Sequence, residues 1–156
     1  MNAGLDMNGS ALDGATNFFM GGALFPEAEP WEIQLERAYQ KIDAGAVFFQ
    51  TQAVTDIDKF ARAVEALRPT GVKIIAGILL FKSPRVIKFI NERLAGLMVP
   101  DWITDRITGA ANPLEEAIAI ATEQVRELKN IAHGVHIMPL GSDDAVARII
   151  EGAELS

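Results

Sequence analysis

The chain has 156 residues, 49% hydrophobic and 22% charged, which suits one compact globular domain and is too short for two. Its net charge of −7 argues against a nucleic-acid partner, because phosphate binding draws on clustered Lys and Arg. Because the chain has no cysteine, disulfides and cysteine-ligated metal sites are excluded. The longest apolar run, residues 74–81, is too short to span a bilayer, and the start does not resemble a signal peptide. We therefore expect a cytoplasmic protein with no membrane or nucleic-acid partner.

Four short apolar runs, each followed by an amphipathic stretch, define the expected architecture. They cover residues 17–24, 46–52, 73–80 and 134–140, and their continuous hydrophobicity is typical of buried parallel strands. The order predicts an α/β fold of four parallel strands joined by outer helices. The pattern alone does not choose between an open doubly wound sheet and a (β/α)8 barrel.

Local signals mark several helix boundaries. Ser83-Pro84 and Asn112-Pro113 each pair an N-cap residue with a first-turn proline, and Glu115 is placed to complete a capping box with Asn112. Ser142-Asp143-Asp144 predicts a last short helix with acidic residues at its positive end. Left-handed turns back into the sheet are predicted at three glycines: Gly45, Gly71 and Gly134.

The segment at residues 41–52 carries a motif. It reads KIDAGAVFFQTQ and resembles a signature of methylenetetrahydrofolate reductases, a helix ending KxxAGA and then a strand ending TQ. Other stretches resemble that family in the same order along the chain: residues 17–26, 75–79, 99–100 and 134–138. The chain is therefore identified as a member of this family. The sequence of these stretches is most similar to the subgroup found in corrinoid-linked and acetogenic one-carbon pathways.

The resemblance implies that residues 1–156 form a single partial domain, the C-terminal half of a TIM (β/α)8 barrel with its strands five to eight. It also implies a flavin, FAD or FMN, that passes a hydride from NAD(P)H to 5,10-methylenetetrahydrofolate, giving 5-methyltetrahydrofolate. In the acetogenic subgroup, reduced ferredoxin or a partner subunit is an alternative electron donor. The family's catalytic carboxylates belong to the first half of the barrel, so no catalytic residue is assigned.

The implied partners are the folate substrate and an N-terminal barrel half or partner subunit. An isolated half-barrel is expected to be inactive and to self-associate, because it would leave strand edges and interior side chains uncovered. The alternative is a non-catalytic half-barrel, a binding or scaffold module that pairs with another chain.

The resemblance assigns the flavin site to Lys41, Gly22, Ala23, Gln34 and Arg37. Lysine suits the flavin phosphates because it stays cationic, although a helix-end lysine also complements the helix dipole. The small residues let a flat ring approach the backbone, and a tight turn would explain them equally well.

The folate site is assigned to Gln52 and Phe89. Gln52 ends its strand, and its amide offers a donor and an acceptor to the pterin edge; a strand-end glutamine can also cap the following loop. Phe89 aligns with a family aromatic residue that packs on folate or nicotinamide, and core packing is its alternative. His136 is assigned no chemistry, and no metal site is predicted.

Overall fold

The computed structural model describes residues 2–93 and 97–155. Its strands are β1 (Gly21–Leu24), β2 (Phe48–Ala53), β3 (Lys73–Leu79) and β4 (Gly134–Met138). Its helices are α1 (Trp31–Asp43), α2 (Ile57–Leu67), α3 (Pro84–Arg93), α4 (Asp101–Gly109), α5 (Pro113–Leu128) and α6 (Asp144–Gly152). A 3-10 turn (Arg68–Thr70) follows α2.

The four strands form one sheet in the order β1-β2-β3-β4, and every pairing is parallel. This confirms the predicted α/β fold and its sequential strand order. The first strand is shorter than expected, because it begins at Gly21 and the preceding Phe18 and Phe19 are exposed.

The two faces of the sheet differ in burial. One face carries side chains that are at most 1% exposed and belong to the hydrophobic core shared with the helices: Phe49, Ile74, Ala76 and Ile78. The other face carries side chains that stay partly or largely exposed: Phe48, Gln50, Ile75 and His136. The described helices therefore cover one face, and we call the other the open face.

The two predicted proline helix starts are confirmed, but the capping box is wrong. Asn112 Oδ1 accepts from the amides of Leu114 (3.2 Å) and Glu115 (3.4 Å), and Ser83 Oγ accepts from the next helix's first turn. The Glu115 carboxylate instead accepts from the Arg148 guanidinium of α6 at 2.9 and 2.5 Å. These hydrogen bonds lower the pKa of Glu115, and a charged donor binds a carboxylate more strongly than a neutral amide does.

Two further expectations need correction. Gly45 and Gly71 have φ of +102° and +75°, as predicted, but Gly134 is not left-handed and is the first residue of β4. The helix α4 was not predicted, because it buries only Ile103 and Ile107 and begins after Pro100 without a side-chain cap. So few buried positions give a weak periodic signal.

Arg106 attaches α4 to α5. Its guanidinium donates to Glu116 at 2.6 Å and to both carboxylate oxygens of Glu123 at 2.6 and 3.1 Å. The hydrogen bond to Glu123 raises the pKa of Arg106, and in return it holds the pKa of Glu123 below its ordinary value. A helix with a narrow apolar stripe is thus fixed partly by charge.

Arg106→Gln should lower the free energy of unfolding by about 1 kcal/mol at neutral pH, since partly exposed ion pairs contribute modestly. The pKa of Glu123 is lower in the folded state than in the unfolded state. The contribution of its ion pair to the free energy of unfolding is therefore complete above the unfolded-state pKa and is lost as the pH falls through the folded-state pKa. Urea unfolding should therefore separate wild type from variant at pH 7 and not in strong acid. Glu123→Gln and the double variant complete the cycle, and fully additive losses would contradict the pairing.

Candidate functional site

A cleft of about 490 Å³ lies on the open face beside β1 and β2. Its lining residues are Gly21, Gly22, Ala23, Phe25, Phe48, Gln50, Thr51 and Gln52. We call it the β1–β2 cleft. It brings together three residues that the sequence assigned to cofactor and substrate: Gly22, Ala23 and Gln52. Ala23 and Gln52 lie in the carboxyl-terminal halves of their strands, the end where α/β barrels bind ligands, and Gly22 directly precedes Ala23.

Phe48 forms an aromatic wall of the cleft. A Cβ atom on Gly21 would lie 2.2 Å from the Phe48 ring, so the ring takes the space that a side chain would fill. The Phe48 ring also stacks on Phe19, with centroids 5.4 Å apart and planes 13° apart. Glycine at position 21 is therefore required by the close approach of the ring.

A bulge in β2 shapes the opposite wall. The register with β3 shifts between Gln50 and Ala53. There Thr51 Oγ1 accepts from the Gly77 amide at 2.9 Å and donates to the Gln52 carbonyl at 2.7 Å. Strict alternation would send Thr51 to the other face, whereas the bulge lets three consecutive residues line one cleft.

The sequence contained one signal of this bulge. Gly77 is an isolated glycine inside a strand, which is typical of a bulge or a close backbone approach. A Cβ atom there would lie 2.6 Å from the Gln52 carbonyl oxygen and 2.7 Å from that of Thr51. Of the two hydrogen bonds of Thr51 Oγ1, the one to Gln52 is local, and the one from Gly77 joins β2 to β3 across 26 residues.

Lys41 contacts the cleft-lining strand β1 but is not among the residues that line the cleft. It belongs to the last turn of α1, and its Nζ donates to the Ala23 carbonyl at 2.6 Å. Because Met20 O accepts from Val47 at the start of β2, the alternation along β1 turns the Ala23 carbonyl toward the edge away from β2. Lys41 therefore covers part of the outer edge of β1.

Gln34 and Arg37 lie seven and four residues before Lys41 on α1, so the three residues share one flank of that helix. Gln34 is half-buried and Arg37 is exposed. Neither residue is among those that line the β1–β2 cleft, so the structure does not bring them together with Gly22, Ala23 and Gln52.

Phe89 does not join the cleft. Its side chain is 58% exposed on α3, whereas Ile87 and Ile90 supply the buried stripe of that helix. The core-packing alternative for Phe89 is therefore wrong. Its folate-contacting role stays a prediction that would require a ligand or second chain to extend over α3.

Sequence reasoning missed a polar pair on the open face. Gln50 Nε2 donates to His136 Nδ1, which joins β2 to β4 across β3. Gln50 lines the cleft, so the pair extends the polar surface beyond Gln52. Nothing in the sequence revealed this contact, because the two residues are 86 positions apart.

Glu27 holds the loop after β1 in place. Its carboxylate accepts from the amides of Thr55 (2.6 Å) and Asp56 (3.0 Å) and from Thr55 Oγ1 (2.7 Å). These groups lie at the start of α2, where backbone amides and the helix dipole favour a negative charge. Glu27 thereby ties the loop beneath the cleft to the next helix, which is a structural role.

Two negative findings concern the described part of the chain. Residues 2–93 and 97–155 contain no cluster of three or more His, Asp or Glu side chains able to hold a metal ion. The helices in these ranges include none with the length and apolar character needed to cross a membrane.

The fold and the cleft together define an α/β protein with a candidate ligand site on the open face of its parallel sheet. A profile of the methylenetetrahydrofolate reductase family matches residues 13–154, and the chain belongs to this family. The family fold is a TIM barrel, and four parallel strands in sequential order are consistent with half of its eight. Comparison with curated proteins gives no match.

Proposed function

We propose that this chain is part of a methylenetetrahydrofolate reductase and supplies strands five to eight of its barrel. The reaction would be the flavin-mediated reduction of 5,10-methylenetetrahydrofolate to 5-methyltetrahydrofolate, with NAD(P)H as electron donor. The observation that carries this proposal is the β1–β2 cleft, where Gln52 of the TQ motif faces Gly22 and Ala23 within one cavity. Family membership supports the reaction class.

The chemistry of the cleft suits a flavin, FAD by resemblance with FMN as the alternative. A flat ring can lie against the Phe48 side chain and the nearly bare backbone of β1, while glutamine amides meet its polar edge. Lys41, which contacts the cleft residue Ala23, would provide the cation for a phosphate group. When bound, the flavin supplies the hydride chemistry, and this chain contributes position and electrostatics.

One observation favours the alternative, a non-catalytic binding or scaffold module. Lys41 Nζ already donates to the Ala23 carbonyl, so the residue assigned to the flavin phosphates has a structural contact of its own. A lysine at an exposed strand edge is a common protection against uncontrolled pairing. In a closed barrel the Ala23 carbonyl would bond to a neighbouring strand, which would free the ammonium for a ligand.

Two substitutions test the proposed roles in an assembly that contains the first four strands of the barrel. Gln52→Ala should raise KM for the folate while flavin is retained, and Lys41→Ala should loosen flavin. Each lost polar contact should cost about 1–3 kcal/mol, which is roughly five- to 150-fold in affinity. The measurements are steady-state kinetics and the flavin content after dialysis.

The matched control for both is Gln40→Ala, an exposed residue of the same helix as Lys41. It should change neither quantity. The site assignment would be contradicted if Gln52→Ala left the folate kinetics unchanged and Lys41→Ala left flavin retention unchanged.

A further inference from the structure

We infer that Gln50 is a second amide contact for the planar ring in the β1–β2 cleft and that His136 positions it. This inference rests on the proposed function, because it concerns the same cleft. Gln50 lines the cleft two residues before Gln52, and its amide is held by a residue of β4. His136 itself does not line the cleft, so its effect would pass through Gln50.

The contact between the two side chains determines which end of the Gln50 amide meets a ligand. Because an amide nitrogen can only donate, the contact between Gln50 Nε2 and His136 Nδ1 requires the imidazole nitrogen to be the acceptor. The other arm of the amide, Oε1, is then the polar atom that Gln50 can offer to the cleft. An acceptor at this position recognises an N–H group.

The sheet geometry makes the contact feasible. In the register, β3 pairs Ile75 with Gln50 and Gly77 with His136, so the two polar residues lie diagonally across β3 on the open face. Strands two positions apart are separated by roughly 9–10 Å, which two extended side chains can bridge. Gly77 has no side chain to obstruct the path.

These groups select a class of ligand. Gln50 and Gln52 are two amides on one cavity whose wall includes the Phe48 ring. A planar heterocycle with adjacent ring N–H and C=O groups matches them, and a Gln50 carbonyl would bind its N–H. The pterin of folate and the pyrimidine end of a flavin share this chemistry, so both must be tested.

The first part of the test measures the histidine tautomer by ¹⁵N NMR on the labelled chain. We expect His136 in the Nε2–H form in wild type and in a mixture of tautomers in Gln50→Leu. His133 is an internal control, since its Nδ1 accepts from the Ile74 amide at 3.2 Å and should not respond. A His136 tautomer that is unaffected by Gln50→Leu would overturn the positioning role.

The second part titrates the same chain with FMN and, separately, with folate, using line broadening to detect weak binding. Gln50→Leu and His136→Phe should weaken binding about five- to tenfold, and Gln40→Leu should not. If these substitutions weaken the binding of only one of the two ligands, that ligand contains the ring that Gln50 contacts. If Gln52→Leu weakens binding and Gln50→Leu does not, this inference fails and the proposed function stands. If neither ligand binds, or neither glutamine variant matters, the ring site itself fails.

Discussion

The isolated 156-residue chain is expected to self-associate and to form no methyltetrahydrofolate. In the described residues β1 and β4 each have one neighbouring strand, so each leaves a row of backbone groups without a sheet partner. Apolar side chains are also uncovered, including Phe19 at 79% exposure beside Phe48. Covering each such side chain would contribute about 1.5–3 kcal/mol, a large fraction of a domain's net stability.

Size-exclusion chromatography with light scattering measures this association. The net charge of −7 on each copy opposes it, so association should increase with ionic strength. Phe19→Ser should reduce association, whereas Phe89→Ser, also at an exposed phenylalanine but on α3, should have little effect. A monomer at every concentration that binds flavin tightly would show that these residues form a self-sufficient module.

Gly77→Ala should lower the free energy of unfolding by about 1–3 kcal/mol, the usual cost of overpacking a rigid interior. The added Cβ would lie 2.6 Å from the Gln52 carbonyl oxygen, a backbone atom in a paired strand that has little freedom to move. The β2 bulge beside the cleft, which contains Thr51 and Gln52, would shift as well. Urea unfolding gives the stability, and amide chemical shifts of residues 50–53 report the displacement.

Gly109→Ala is the matched control for this substitution. A Cβ atom there meets nothing within 4 Å, and its φ is not in the left-handed region, so the change should be within about 0.5 kcal/mol of zero. Equal stability of the two variants would mean that the close approach at Gly77 is not a constraint.

Local patterns predicted most of the fold. Strand and helix periods depend on neighbouring residues, and the Asn112 and Ser83 caps act within three residues of themselves. These signals can be detected in a single sequence because they depend on no contact between distant residues. The KxxAGA and TQ motif led to the family that the profile match then confirmed.

The contacts that shape the cleft depend on register, which no local pattern encodes. Thr51 bonds to Gly77, and Gln50 to His136, at separations of 26 and 86 residues. Likewise, Glu115 was assigned to its own helix start because local spacing could not reveal Arg148, 33 residues away. A carboxylate binds most strongly to a charged donor, and which donor lies near it depends on the tertiary fold and not on the local sequence.

The most direct test is purification of this chain together with a polypeptide that carries the first four strands of the family barrel. We predict a stable complex that retains flavin and reduces methylenetetrahydrofolate, with KM for the folate raised by Gln52→Ala and unchanged by Gln40→Ala. A complex that assembles but holds no flavin and forms no methyltetrahydrofolate would contradict the account and favour the scaffold alternative.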